Sequence, residues 1–176
     1  IKGIKGKRVL ITGASGGIGS CMVLLFADHQ AKIGVHYHNG KKEAGDLVRQ
    51  VEKNEGCGAS FQANLLQDTG DALIKSFVER FGGIDILINN AGAVFGSKEI
   101  LELDETSWEN TFRLNTQAPF FLAQSAFRFM KDNGGGKIIG ISSISAKYGG
   151  SNKTLHYGAS KAALEAMNFG LAKAGA

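Results

Sequence analysis

Five short apolar runs, most of them followed by a stretch with helical spacing, constrain this chain more than any other feature. Arg8–Thr12 reads as a first buried strand, Lys32–Tyr37 as a second and Ala59–Ala63 as a third. Ile84–Asn89 reads as a fourth and Lys137–Ser142 as a fifth. Helical spacing covers Ile18–His29, about Lys41–Lys53, Thr69–Phe81 and Thr106–Lys131, and a last helical pattern starts near His156. This alternation predicts βαβ units and a parallel sheet. Four of the five strands are continuously apolar, as a sheet covered on both faces requires. The expected fold class is therefore α/β, a doubly wound parallel sheet of the Rossmann type. No linker divides residues 1–176, which predicts one domain.

Composition narrows the function classes. The 176 residues include 25 glycines but one proline, so neither a collagen-like nor a Pro-rich disordered chain fits. The glycines must serve local needs such as turns, caps and close approaches. The net charge of +4 comes from scattered Lys and Arg, without the basic stripe of a nucleic-acid partner. Apolar runs such as Cys21–Ala27 are far shorter than the roughly 18 residues of a membrane span. No signal-peptide pattern is visible. Cys21 and Cys57 read as reduced thiols, and the expected location is the cytoplasm. The first residue is Ile, which suggests that the true N-terminus lies upstream.

In doubly wound sheets the ligand sits beyond the carboxyl ends of the strands. The first strand is followed there by Thr12, Gly13, Ala14, Ser15, Gly16, Gly17, Ile18 and Gly19, which open the first helix. Bare backbone at a helix start suits a pyrophosphate. The spacing is GxxxGxG. This TGASGGIG segment resembles the cofactor motif of the short-chain dehydrogenase/reductase family. Asn89-Asn90-Ala91-Gly92 resembles that family's second hallmark, and Tyr157-Gly158-Ala159-Ser160-Lys161 its YxxxK motif. The three occur in the expected order over essentially the whole chain. The resemblance is nearest to the 3-oxoacyl-acyl-carrier-protein reductase branch.

Tyr157 and Lys161 are one helical turn apart. Reduction of a ketone needs a hydride at carbon and a proton at oxygen. A phenol ionises near pH ~10, and a neighbouring ammonium favours its phenolate, so the pair can act as acid or base. The resemblance implies that Lys161 also holds the nicotinamide ribose. It assigns the substrate-binding hydroxyl to a serine after the fifth strand. Ser143 is the candidate, with Ser142 and Ser145 as competitors; it lies fourteen positions before Tyr157, one more than the family commonly has. Alternation puts Ser142 and Ser143 on opposite faces. Asn115 lies four residues before the only proline, Pro119, which has no N–H for the Asn115 carbonyl. A local kink and a free carbonyl are expected. In the family that carbonyl holds a water of a proton relay.

For the cofactor, Tyr37 stands where NAD-preferring members carry an acid, and no Asp or Glu follows before Glu43. Lys41 and Lys42 could reach a 2′-phosphate, although Gly16 stands where many NADP-binding members carry Arg. NADP(H) is favoured over NAD(H). Tyr37, His38, Asn64, Leu65, Asn90, Ala91 and Gly92 are expected along the cofactor. His36 and His38 point the same way on their strand, but no third ligand accompanies them. No metal is expected, and a polar adenosine-side surface is the reading. The resemblance implies a small-molecule carbonyl or secondary alcohol substrate, with a 3-oxoacyl thioester as one candidate, and a homodimer or homotetramer built on the long helices Phe120–Met130 and Ala162–Leu171. A non-catalytic dinucleotide-binding scaffold is the alternative. Family members continue with further strands and a substrate lid beyond the YxxxK helix, so a fragment lacking those parts is expected.

Overall fold

The computed structural model describes residues 3–68 and 70–176. Its strands are β1 Arg8–Ile11, β2 Lys32–Tyr37, β3 Cys57–Gln62, β4 Ile86–Asn89 and β5 Lys137–Gly140. Its helices are α1 Gly17–Asp28, α2 Lys41–Lys53, α3 Asp71–Phe81, α4 Glu105–Phe112, α5 Ala118–Asp132, α6 Ser145–Tyr148 and α7 Leu155–Ala174. A single π-helical turn, Arg113–Gln117, joins α4 to α5.

All strand pairs are parallel, in the order β3-β2-β1-β4-β5. The order reverses between β1 and β4, so a crevice opens there at the carboxyl ends of these strands. Strand alternation splits the core in two. Val9, Ile11, Ile33, Val35, Ile86 and Ile88 pack with Val23 and Ala27 of α1 and with Ala44, Leu47 and Val51 of α2. Leu10 and Leu87 point the other way, to Ile74 and Phe77 of α3 and Leu122, Ala123 and Ala126 of α5. This is the doubly wound sheet that the apolar runs imply.

Away from the crevice, Arg8 ties β1 to the entry of β4. Its Nε and Nη2 donate to Asp85 at 2.7 and 2.9 Å, its backbone N–H does so at 2.8 Å, and its Nη1 donates to the Gly82 carbonyl at 2.7 Å. The hydrogen bond from the guanidinium holds the Asp85 carboxyl below its ordinary pKa.

Several expected boundaries shift, that of β4 among them, which begins at Ile86 and not Ile84. β1 stops at Ile11 and β5 at Gly140, before the polar residues counted into them. β3 begins two residues early, at Cys57. Thr69, the expected start of the third helix, lies outside the described residues; α3 runs from Asp71. The Thr106–Lys131 pattern is not one α-helix but two with a wider turn between them.

Candidate active site

The glycine turn is fastened to β4 before it reaches any ligand. Thr12 Oγ1 accepts from the backbone N–H groups of Asn90 and Ala91, both at 3.0 Å. Asn90 Nδ2 donates to the carbonyls of Thr12 at 2.8 Å and Gly13 at 3.1 Å. Gly13 has φ +59°, and a Cβ there would stand 2.9 Å from Ala91 Cα. Gly19 lets α1 close on the turn: its Cβ would meet the Gly13 carbonyl at 2.5 Å.

His36 holds the other side. Its Nδ1 accepts from the Gly13 N–H at 3.0 Å, so Nε2 carries the proton and donates to the Ala63 carbonyl at 3.2 Å. The His36 carbonyl also accepts from Ala14 N–H at 2.8 Å. Only 2% of His36 is exposed, and burial pushes its pKa down to about 4. The surface reading of His36 is therefore corrected: its ring is an internal strut, while His38 is exposed. Among the described residues no group of His, Cys, Asp and Glu could hold a metal.

A cleft of about 660 Å³ lies over this turn, a volume suited to a cofactor. Of the expected cofactor residues, Gly13, Ser15, Gly16, Gly17, Ile18, His38, Asn64, Leu65, Asn90, Ala91 and Gly92 line it. Three do not. Ala14 is fully buried, Gly19 faces the turn, and Tyr37 packs in the α1–α2 core. Gly16 and Gly17 have nothing within 4 Å of where a Cβ would be, so their backbone at the start of α1 is open to an anion. Asn64 Oδ1 accepts from Leu66 N–H at 3.1 Å and keeps a second lone pair. Sequence reasoning passed over Asn39, Ala63, Leu66, Ala93 and Leu114, which also line the cleft. They carry no motif, and only the strand-end rule could have pointed to them.

The deep end of the cleft meets α7. Gly92 leaves room for two side chains: a Cβ there would stand 2.9 Å from Asn115 Oδ1 and 3.0 Å from Lys161 Nζ. Lys161 is 3% exposed and donates to the Ile141 carbonyl at 2.8 Å. Its ammonium stands 5.8 Å from the Tyr157 ring centroid, and burial lowers its pKa. Asn115 is fully buried in the π turn. Its Nδ2 donates to the Ala93 carbonyl at 2.8 Å and to Ser160 Oγ at 3.1 Å, and its Oδ1 accepts from Ala93 N–H at 3.1 Å. Thr116 Oγ1 donates to the Ser160 carbonyl at 2.9 Å. The π turn thus sets the position of the helix that carries Tyr157 and Lys161. Ser160, inside the YxxxK segment, was not singled out in the sequence, where it reads as a spacer.

Pro119 acts through this turn. The Ala118 N–H reaches back five residues to the Arg113 carbonyl, and Pro119 has no N–H to give Asn115. The expected kink takes the form of a widened turn. After β5, Ser142 Oγ donates to Glu165 at 2.6 Å, whereas Ser143 Oγ accepts from Ser145 N–H at 3.1 Å. The two serines thus have separate partners, with Ser142 engaged by an outward residue of α7.

A family model described as short chain dehydrogenase matches residues 7–176. An uncharacterized oxidoreductase of Thermotoga maritima is 36% identical over 169 residues, which are 96% of this chain and 65% of that protein. The versicolorin reductase of Emericella nidulans is 35% identical over 164 residues, 92% of this chain and 61% of the relative. The chain therefore spans less than two thirds of the length of these curated relatives. Among solved structures, the NADH-dependent reductase A1-R′ with NAD superposes with a TM-score of 0.91 at 32% identity, over 97% of this chain and 73% of that one. A short chain dehydrogenase from Burkholderia cenocepacia with NADP gives 0.91 at 30% identity, over 97% and 69%. On the family match over residues 7–176 and the match of its fold, the chain belongs to the short-chain dehydrogenase family.

Proposed function

We propose that this chain is the cofactor-binding and catalytic part of an NADP(H)-dependent oxidoreductase that interconverts a carbonyl and a secondary alcohol. The observation that carries this reading is the pairing of Tyr157 with the buried ammonium of Lys161 at the deep end of the glycine cleft. The bound nicotinamide would supply or accept the hydride. The Tyr157 hydroxyl gives the substrate oxygen its proton during reduction and takes it back during oxidation. The Lys161 ammonium lies one turn along the same helix, 5.8 Å from the Tyr157 ring centroid. Ser143 donates a hydrogen bond to the same oxygen as charge develops on it. Asn115 holds the Ala93 backbone and Ser160, and its carbonyl is the site for a relay water.

The open backbone of Gly16 and Gly17 fits a pyrophosphate, and the exposed Lys41 and Lys42 fit a 2′-phosphate. α2 starts close to the turn, since a Cβ on Gly40 would stand 2.8 Å from Ser15 Oγ. A 3-oxoacyl thioester is one substrate candidate, and the similarity to a versicolorin reductase makes versicolorin another. The exposed thiol of Cys21 suits the reducing cytoplasm. Among the described residues no helix is long and apolar enough to cross a membrane.

Oxidation of NADPH by a panel of ketones, followed by absorbance, tests the reading. Tyr157→Phe should lose turnover by about 10²–10⁴-fold and keep its cofactor affinity. Binding of NADPH without oxidation by any ketone would favour a scaffold. Replacing Lys41 and Lys42 by Ala should weaken NADPH binding roughly ten-fold and NADH binding much less. Equal effects on both would reject the NADP(H) preference.

A further inference from the structure

Two surface segments meet at the start of α7, beside Tyr157. One leaves β4 and covers residues 90–104; the other, residues 149–154, joins α6 to α7. The inner half of the first is bolted to buried side chains. Asn115 binds both polar groups of the Ala93 backbone, Thr111 Oγ1 accepts from Phe95 N–H at 3.2 Å, and the buried His156 ring meets the Phe95 carbonyl at 2.7 Å. His156 is the neighbour of Tyr157.

The second segment is stiff in itself. Ser151 N–H donates to Thr154 Oγ1 at 2.9 Å, and Thr154 N–H to the Ser151 carbonyl at 3.0 Å. Gly149 and Gly150 press on α7 at Gly158. The outer half of the first segment meets this stiff loop through Glu99. Asn152 Nδ2 lies 3.1 and 2.9 Å from the two Glu99 carboxylate oxygens, and Lys153 Nζ stands 3.7 Å from one of them. One carboxylate thus takes an amide and an ammonium from the loop that leads directly into Tyr157.

We infer that Glu99 is a positioning residue for the carbonyl substrate, latching the two loops through Asn152 and Lys153 and so fixing the substrate side of the site. The inference rests on the oxidoreductase reading above. The ammonium and carboxylate are about half exposed, 55% and 48%, so the latch has a modest effect that salt weakens. A carboxylate is required because both facing groups are donors.

Asn152→Asp, isosteric with the native residue, sets two carboxylates face to face. The KM for a reduced ketone should rise roughly two- to five-fold, with kcat and NADPH affinity nearly unchanged, and added salt should lower it again. Combining Asn152→Asp with Glu99→Gln exchanges donor and acceptor across the same contact and should return KM to the parent value. A KM unmoved by Asn152→Asp, or not rescued by the exchange, overturns the latch. If the parent protein reduces no ketone, the oxidoreductase reading fails by itself. Hydrogen exchange then judges the latch: amides of residues 149–154 should exchange faster in Asn152→Asp and recover in the exchanged pair. Identical exchange in all three proteins also overturns it.

Discussion

His36 shows what one buried ring does to a ligand turn. It receives Gly13 on one nitrogen and gives its proton to Ala63 from the other. A second proton would replace an acceptor by a donor facing Gly13 N–H. Burial is the main reason that its pKa falls to about 4. The unfolded chain, with a His pKa near ~6.5, binds that proton more readily. The contribution of His36 to stability is therefore complete above pH ~6.5 and lost as pH falls towards 4. His36→Gln, which can still accept and donate, should flatten the melting temperature against pH between 7 and 4.5; an unchanged slope would refute this account. Period-two spacing placed His36 and His38 on one side of the strand but could not reveal what covers them. Tyr37 is the counterpart case: its position after β2 was legible, yet its side chain turns into the α1–α2 core. The tyrosine–lysine pair was readable because helical spacing fixes a shared face without any tertiary information.

At the level of elements, β2 and α2 match the sequence reading to the residue, and Gly40 and Asn54 mark the two ends of α2. α6 was missed. Its four residues are fewer than the periodic pattern needs to show itself. The π turn was half legible: Pro119 announces a lost hydrogen bond, but a single lost bond does not say whether the helix bends or widens. The α6–α7 connection is set by close backbone approach. A Cβ on Gly158 would stand 2.5 Å from the Gly149 carbonyl carbon, and Gly149 and Gly150 have φ of +79° and +78°. Gly158→Ala should therefore cost about 1–3 kcal/mol in urea unfolding, by forcing the loop off the helix. A neutral result would mean that the loop yields freely, and the site would then have no fixed wall on that side.

For the whole molecule, the outer face of α4 and α5 carries Trp108, Phe120 and Phe121 at 40%, 38% and 36% exposure. Trp108 stacks on Phe112, and these aromatics share a groove with Met167 of α7. Aromatic anchors of this kind are enriched at subunit contacts, which fits the homodimer or homotetramer that the family resemblance implies. Sedimentation should show a dimer or tetramer that Phe120→Asp with Phe121→Asp dissociates, and a parent chain that sediments as a monomer would refute the assignment. The sheet has one more consequence, in time rather than in space. β1 pairs with β2 nearby in the chain, but its other edge waits for β4, with Val9 opposite Ile86. On a ribosome the central strand emerges early and stays half-paired while all the chain up to β4 is synthesised. Closing so long a loop is entropically slow, and the nascent chain must carry an open strand edge until β4 emerges.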